Sequence, residues 1–215
     1  MSKQILQQAA RRHSGVSYEE SLIAQEQLQP TLLERIGGIP GFEELTERFY
    51  DRIFDEANTG SDDVALVNIF SSSTKSEAKD NLSRFLVQTF GGPPLYREVK
   101  GKYTRLVGRH ANYQIGHEAA ARWLHHMTHA IRHHSKLKDD SVAMEALIKY
   151  FAYTAHYIVV AKEYMRSDQV RPLEKKMGAE ILVFLWEGQL TLALPWFSDL
   201  TQLSGGTSVD AGRLW

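Results

Sequence analysis

The helical pattern of this chain is broken abruptly at one place, and that break governs what can be built around it. Gly91-Gly92-Pro93-Pro94 stops any helix that reaches it, because neither proline has an N–H to donate and each ring clashes with the turn before it. From Leu95 to Asn112 the periodicity is poor and the sequence basic, with Arg109 directly before His110. A long irregular segment inside a compact domain is usually functional. Helical periodicity resumes at Gly116, placing Trp123, Met127, Ala130 and His134 on one face. A loop with an Arg-His pair therefore lies between two helices, and the remaining elements must pack around it.

Upstream, Pro40 opens a predicted helix, with Phe42, Leu45, Phe49 and Ile53 on its apolar face and Tyr50 at the edge. Asn58 to Asp63 reads as a polar loop and Leu66 to Phe70 as a short apolar piece. Thr74-Lys75-Ser76-Glu77 fits a capping box and starts a helix running to Phe90, with Ala78, Leu82, Phe85 and Leu86 as its stripe. Asp139 to Ser141 caps a last long helix, whose stripe includes Leu147, Phe151, Ala155 and Ile158. No strand pattern precedes residue 177. The expectation is an all-α domain over residues 31–166, made of about four main helices and a histidine-bearing loop. Residues 1–30 are expected to be a polar N-terminal helical extension outside the core. Residues 167–215 form a C-terminal extension. Its apolar run Ile181–Trp186 suits a docking helix, a partner-binding segment or a membrane-surface segment.

Composition removes several function classes. A net charge of -1 gives no argument for a nucleic-acid face, and no nucleic-acid partner is expected. The absence of Cys excludes disulfides, iron–sulfur clusters and thiolate catalysis, so a metal would need His, carboxylate or carbonyl ligands. No uncharged apolar run is long enough for a transmembrane helix. The first 16 residues carry Lys3, Arg11 and Arg12 without an acid. They read as a polar helix in a cytoplasmic protein, with organellar import left open. There is no Gly-x-Gly-x-x-Gly and no Gly-Lys-Ser/Thr loop, so nicotinamide and flavin sites of those types are not expected.

Spacing alone does not settle the interesting residues. His110 suits a surface position or a metal ligand, and Tyr50 and Trp123 suit ordinary core aromatics. His125, His126, His129 and His133 fall on one arc away from Trp123. That arc is expected to face water, with metal binding as the rival reading.

The order of the pieces narrows this. Ile36-Gly37-Gly38, Arg48-Phe49-Tyr50 and Phe70 are followed by Phe85-Leu86-Val87-Gln88 and Gly91-Gly92-Pro93-Pro94-Leu95-Tyr96. Next come Gly101, Leu106, Arg109-His110-Ala111, Ile115, Trp123-Leu124 and Met127, and near the end Thr154-Ala155-His156. Over about residues 30–165 this resembles the truncated haemoglobins of the second class, in their plant and algal-like branch. The departures are Lys102-Tyr103 after the loop glycine, Asn112-Tyr113 after the histidine pair, and Asn81. The resemblance implies a globin-like two-over-two helical sandwich around one haem b. It matches His110 to the iron ligand, and Tyr50, Phe70 and Trp123 to the opposite, ligand-binding side. Ala78 takes the place where many globins carry a distal histidine, with Leu82 one turn on and Phe85 as a pocket aromatic. Tyr96 and Arg109 match positions near the haem propionates. The implied ligands are O2, NO and CO. The role stays open between oxygen binding or transport, NO dioxygenase, nitrite reductase or peroxidase-like chemistry with an external reductase, and gas sensing through the tail. A homodimer is also left open.

Overall fold

A computed structural model describes residues 3–56, 69, 74–101, 106–110, 113 and 115–166, without the side chain of Arg109. Phe70, the loop Asn58–Asp63 and the extension 167–215 lie outside the described residues. Within them the chain forms nine α-helices and no strand. They are α1 (Lys3–Ser14), α2 (Tyr18–Glu26), α3 (Leu32–Ile36), α4 (Gly38–Glu56), α5 (Lys75–Thr89), α6 (Leu95–Lys100), α7 (Leu106–Arg109), α8 (His117–Arg132) and α9 (Ser141–Arg166). No helix among these residues is long and apolar enough to cross a membrane.

Local chemistry sets the boundaries. Thr74 and Glu77 make both halves of the predicted capping box: Thr74 Oγ1 accepts from the Glu77 amide at 3.2 Å and Glu77 from the Thr74 amide at 2.9 Å. Asp140 Oδ1 accepts from the Ala143 amide at 3.0 Å and starts α9. The end of α5 needs both glycines. Gly91 has φ of +89°, and a Cβ on Gly92 would lie 2.6 Å from Val87 Cγ1. Two expectations shift. The helix expected from Pro40 begins at Gly38, and the irregular stretch after Pro94 contains the short helices α6 and α7.

The four long helices pack as pair on pair, α4 with α5, α8 with α9, and α4 across to α8. Their shared core includes Phe42, Leu45, Phe49, Leu86, Met127 and Leu147, each fully buried. Burying each such side chain contributes about 1.5–3 kcal/mol before ordering costs. α9 is the central element, buried on nearly all sides from Tyr150 to Lys162.

The N-terminal segment is a correction. The described part of that extension, residues 3–30, is not outside the core: Leu6 is 1% and Ala10 0% exposed. With Val16 they form a second apolar cluster against Ala152, Tyr153 and Tyr157 of α9. Val107 of α7 and Leu124 of α8 pack against the same cluster.

Candidate functional site

The helix pairs leave a cavity of about 300 Å³ between them, with mostly apolar walls. α5 contributes Ala78, Leu82 and Phe85, whose four- and three-residue spacing puts them on one face. α4 contributes Tyr50, α6 Tyr96, α8 Trp123, and the residue after α7 is His110. Seven of the nine residues singled out from sequence thus meet in one cavity. The other two are Phe70 and Arg109, whose side chains are not described.

An aromatic chain fixes the far wall. Tyr50 meets Phe49 edge-on at 4.9 Å between ring centroids. Phe49 meets Trp123 at 5.1 Å, and Trp123 meets Phe151 of α9 at 5.4 Å. Such contacts restrict the indole to one orientation. Tyr50 is 4% exposed. Burial pushes its phenol far above the ordinary tyrosine value, so the hydroxyl stays protonated and able to donate. Tyr96 packs edge-on against Phe85 at 5.8 Å.

His110 is held from the helix that precedes it. Its amide donates to Val107 O at 3.1 Å, and its Nδ1 lies 2.6 Å from Leu106 O. A carbonyl oxygen only accepts, so Nδ1 carries the proton and the neutral ring keeps its lone pair on Nε2. The segment after it is tied down as well. The Tyr113 amide donates to His110 O at 3.2 Å, and the buried ammonium of Lys162 donates to Tyr113 O. Burial holds that ammonium below the usual lysine value.

Sequence reasoning missed part of the lining. Tyr150, Thr154, Ala119 and Ala120 also face the cavity. Tyr150 and Thr154 are four apart on α9, and the Tyr150 hydroxyl meets the side chains of Thr154 and Thr89. The signal was present as two polar groups within the apolar pattern of α9. Among the described lining residues none bears a carboxylate, ammonium or guanidinium, and His110 is the single imidazole. The rival histidine arc does not hold together. His126 is fully buried, while His125 and His133 are exposed. No group of three metal-ligating side chains suited to an ion occurs among the described residues.

The sequence matches the family described as bacterial-like globin over residues 31–158. The chain belongs to the bacterial-like globin family. It is 34% identical over 181 residues to two-on-two hemoglobin-3 of Arabidopsis thaliana, covering 82% of this chain and 93% of that one. It is 36% identical over 169 residues to group 2 truncated hemoglobin 3-1 of Lotus japonicus, covering 79% and 94%. The hemoglobin of Chloroflexus aurantiacus superposes with a TM-score of 0.52 at 32% identity, covering 60% of this chain and 98% of its own. The resemblance to second-class truncated haemoglobins and the all-α two-over-two fold are both borne out.

Membership of the globin family implies a haem cofactor. The cavity of this globin fits such a group: its walls are mostly apolar, its one lining imidazole is the tautomer with an Nε2 lone pair, and Tyr50 and Trp123 are among the side chains that bring a hydrogen-bond donor to its surface.

Proposed function

We propose that this globin binds a single haem b in the cavity, with His110 Nε2 as the iron ligand. O2, NO and CO then bind on the side of Tyr50 and Trp123. The observation that carries this reading is the 2.6 Å contact from His110 Nδ1 to Leu106 O at the cavity wall. That contact orients the ring and fixes the tautomer that a metal requires. When bound, the haem supplies a redox-active iron with a coordination position for a diatomic molecule.

The protein's own part is selection and retention. Tyr50 and Trp123 each carry one donor hydrogen at a mostly apolar cavity. A hydrogen bond made there holds a polar diatomic by about 1–3 kcal/mol, which slows its release by roughly 5- to 150-fold. Ala78 offers no imidazole to compete for the ligand position.

Titration of the purified protein with haemin, then reduction and exposure to CO, tests the proposal. The expected result is saturation at a single haem per chain and a sharp CO-bound Soret band. His110→Ala is expected to lose the five-coordinate ferrous spectrum, and Tyr50→Phe to release O2 at least about fivefold faster. Uptake without stoichiometry, or an unchanged ferrous spectrum in His110→Ala, would overturn the assignment.

A further inference from the structure

Three imidazoles meet where the N-terminal helix reaches the start of α8. His13, in the last turn of α1, stacks on His117, the first residue of α8. Their ring centroids are 3.5 Å apart and their planes 11° from parallel. His117 Nδ1 lies 2.9 Å from Nδ1 of His156 on α9. On its other side, His117 Nε2 is 3.6 Å from Glu163 Oε2. His13 and His156 are 6.1 Å apart between centroids.

A hydrogen bond between two imidazole nitrogens needs one donor and one acceptor. Either His117 or His156 must therefore keep a lone pair on Nδ1, and the pair accommodates at most one added proton. A second proton sets two N–H groups against each other at 2.9 Å. Two cationic rings stacked at 3.5 Å also repel. Glu163 offsets part of one charge, but its side chain is 60% exposed and water screens it. Among the described residues, the titratable groups facing the cluster are His13 from α1, His117 from α8, and His156 and Glu163 from α9. Burial first, then the neighbouring imidazoles, hold both His117 and His156 below the usual histidine value.

We propose that the His13–His117–His156 cluster is a proton-released latch that positions the haem pocket, holding the N-terminal helix against α8 and α9 when neutral and releasing it when protonated twice. The first turn of α8 carries Ala119 and Ala120 into the cavity, and the next turn carries Trp123. The apolar cluster around α1 also includes Val107, whose carbonyl accepts the His110 amide, and Leu124 of α8. Releasing α1 therefore loosens both the His110 helix and the Trp123 helix. The three histidines act as positioning residues, and none of them lines the cavity. The sign follows from linkage. The latched form binds fewer protons than the released form, so the latch is complete above about pH 6.5 and weakens as pH falls below it.

The latch rests on the haem reading only in the second arm of its test. In the first arm, hydrogen exchange of the full chain, haem-loaded and with EDTA present, is followed at about pH 7.5 and 5.5 as protection factors. Protection of residues 3–14 is expected to fall by about tenfold or more, with residues 117–123 following. His156→Gln can donate and accept without titrating, and His13→Phe keeps the stack without a proton. His156→Gln is expected to flatten the fall to within about twofold, and His13→Phe, which leaves the His117–His156 pair in place, to make it smaller. In the second arm, haemin release to an acceptor protein is expected to quicken at the lower pH in the natural chain but not in His156→Gln. Equal protection of residues 3–14 at both pH values, or a fall that survives at full size in both variants, overturns the latch. If His156→Gln has already lost protection at the higher pH, His13→Phe decides: a smaller fall supports the latch and an unchanged one overturns it. If haem does not bind, the exchange arm on the chain as purified still decides the latch, so the two failures are distinguishable.

Discussion

α8 is tied down at both ends by histidine, through opposite chemistry. Just past its C-terminal end, His134 is fully buried. Its Nε2 donates to Gly41 O at 2.9 Å, and its Nδ1 accepts from the amides of Lys136 at 3.1 Å and Leu137 at 3.3 Å. These three partners are backbone groups, which do not titrate, and one carboxylate oxygen, Glu44 Oε2, also lies 3.5 Å from Nε2. At the N-terminal end, His117 leans on two further imidazoles and a carboxylate, all of which titrate. Burial makes both rings reluctant to take a proton. The difference lies in what gives way when a proton arrives. At His134 it displaces amides inside a closed core. At His117 it sets like groups against one another at the seam of a separate helix. Burial alone therefore does not make a histidine structural; the identity of its partners decides whether it can switch.

The largest expected effect tests the fixed end. His134→Ala removes the bonds to Gly41 O and to the amides of Lys136 and Leu137 and opens a cavity. It should cost about 3–4 kcal/mol, read as a lower urea midpoint with an unchanged slope. The next effect tests the titrating end. His117, His156 and His134 all have depressed affinity for protons, so stability should fall between about pH 7.5 and 5.5 by roughly 1–3 kcal/mol. His156→Gln should remove part of that fall, while the share due to His134 persists; an identical pH dependence in the variant would erase the proposed contrast.

A smaller effect concerns the support beside His134. Burial alone would raise the Glu44 carboxyl. Its bonds from the Ser135 hydroxyl and amide, followed by Arg48, bring it down to about 2. Its contribution is complete above about pH 4.5 and is lost as pH falls towards 2. Glu44→Gln should cost about 1 kcal/mol at neutral pH, and the loss should shrink in acid, as measured by denaturation at both pH values. The smallest effect is at Glu163, which is largely exposed. Glu163→Gln should move the acid release of α1 upward by only a few tenths of a pH unit, visible in the exchange profile.

What the sequence disclosed, and what it hid, divides along the same line between local and distant partners. The Thr74–Glu77 box and the Gly91–Pro94 break are decided by residues within one or two turns, and both stand in the structure. Tyr50, Ala78, Leu82, Phe85 and Trp123 were legible as a set because their helices carry ordinary periodic stripes and their order matched a known pattern. Leu6 and Ala10 were hidden because their cover comes from Tyr153 and Tyr157, far along the chain. His125 and His126 are adjacent, yet only the second is buried. About 100° of helix rotation separates them, and the packing of α8 sets where the boundary falls. The histidine cluster was hidden for the reason Leu6 was: His13, His117 and His156 share no local pattern at all.

The second apolar cluster also imposes an order of events on synthesis. α1 is made early, but the surface that receives it belongs to α9, which follows after more than a hundred residues. At roughly 5–20 residues per second, the first helix waits on the order of ten seconds or longer for its partner. A 12-residue helix without a partner is marginal in water. Leu6 and Ala10 are therefore left uncovered on the nascent chain through that interval, and a segment made well before α9 finds its place only after it.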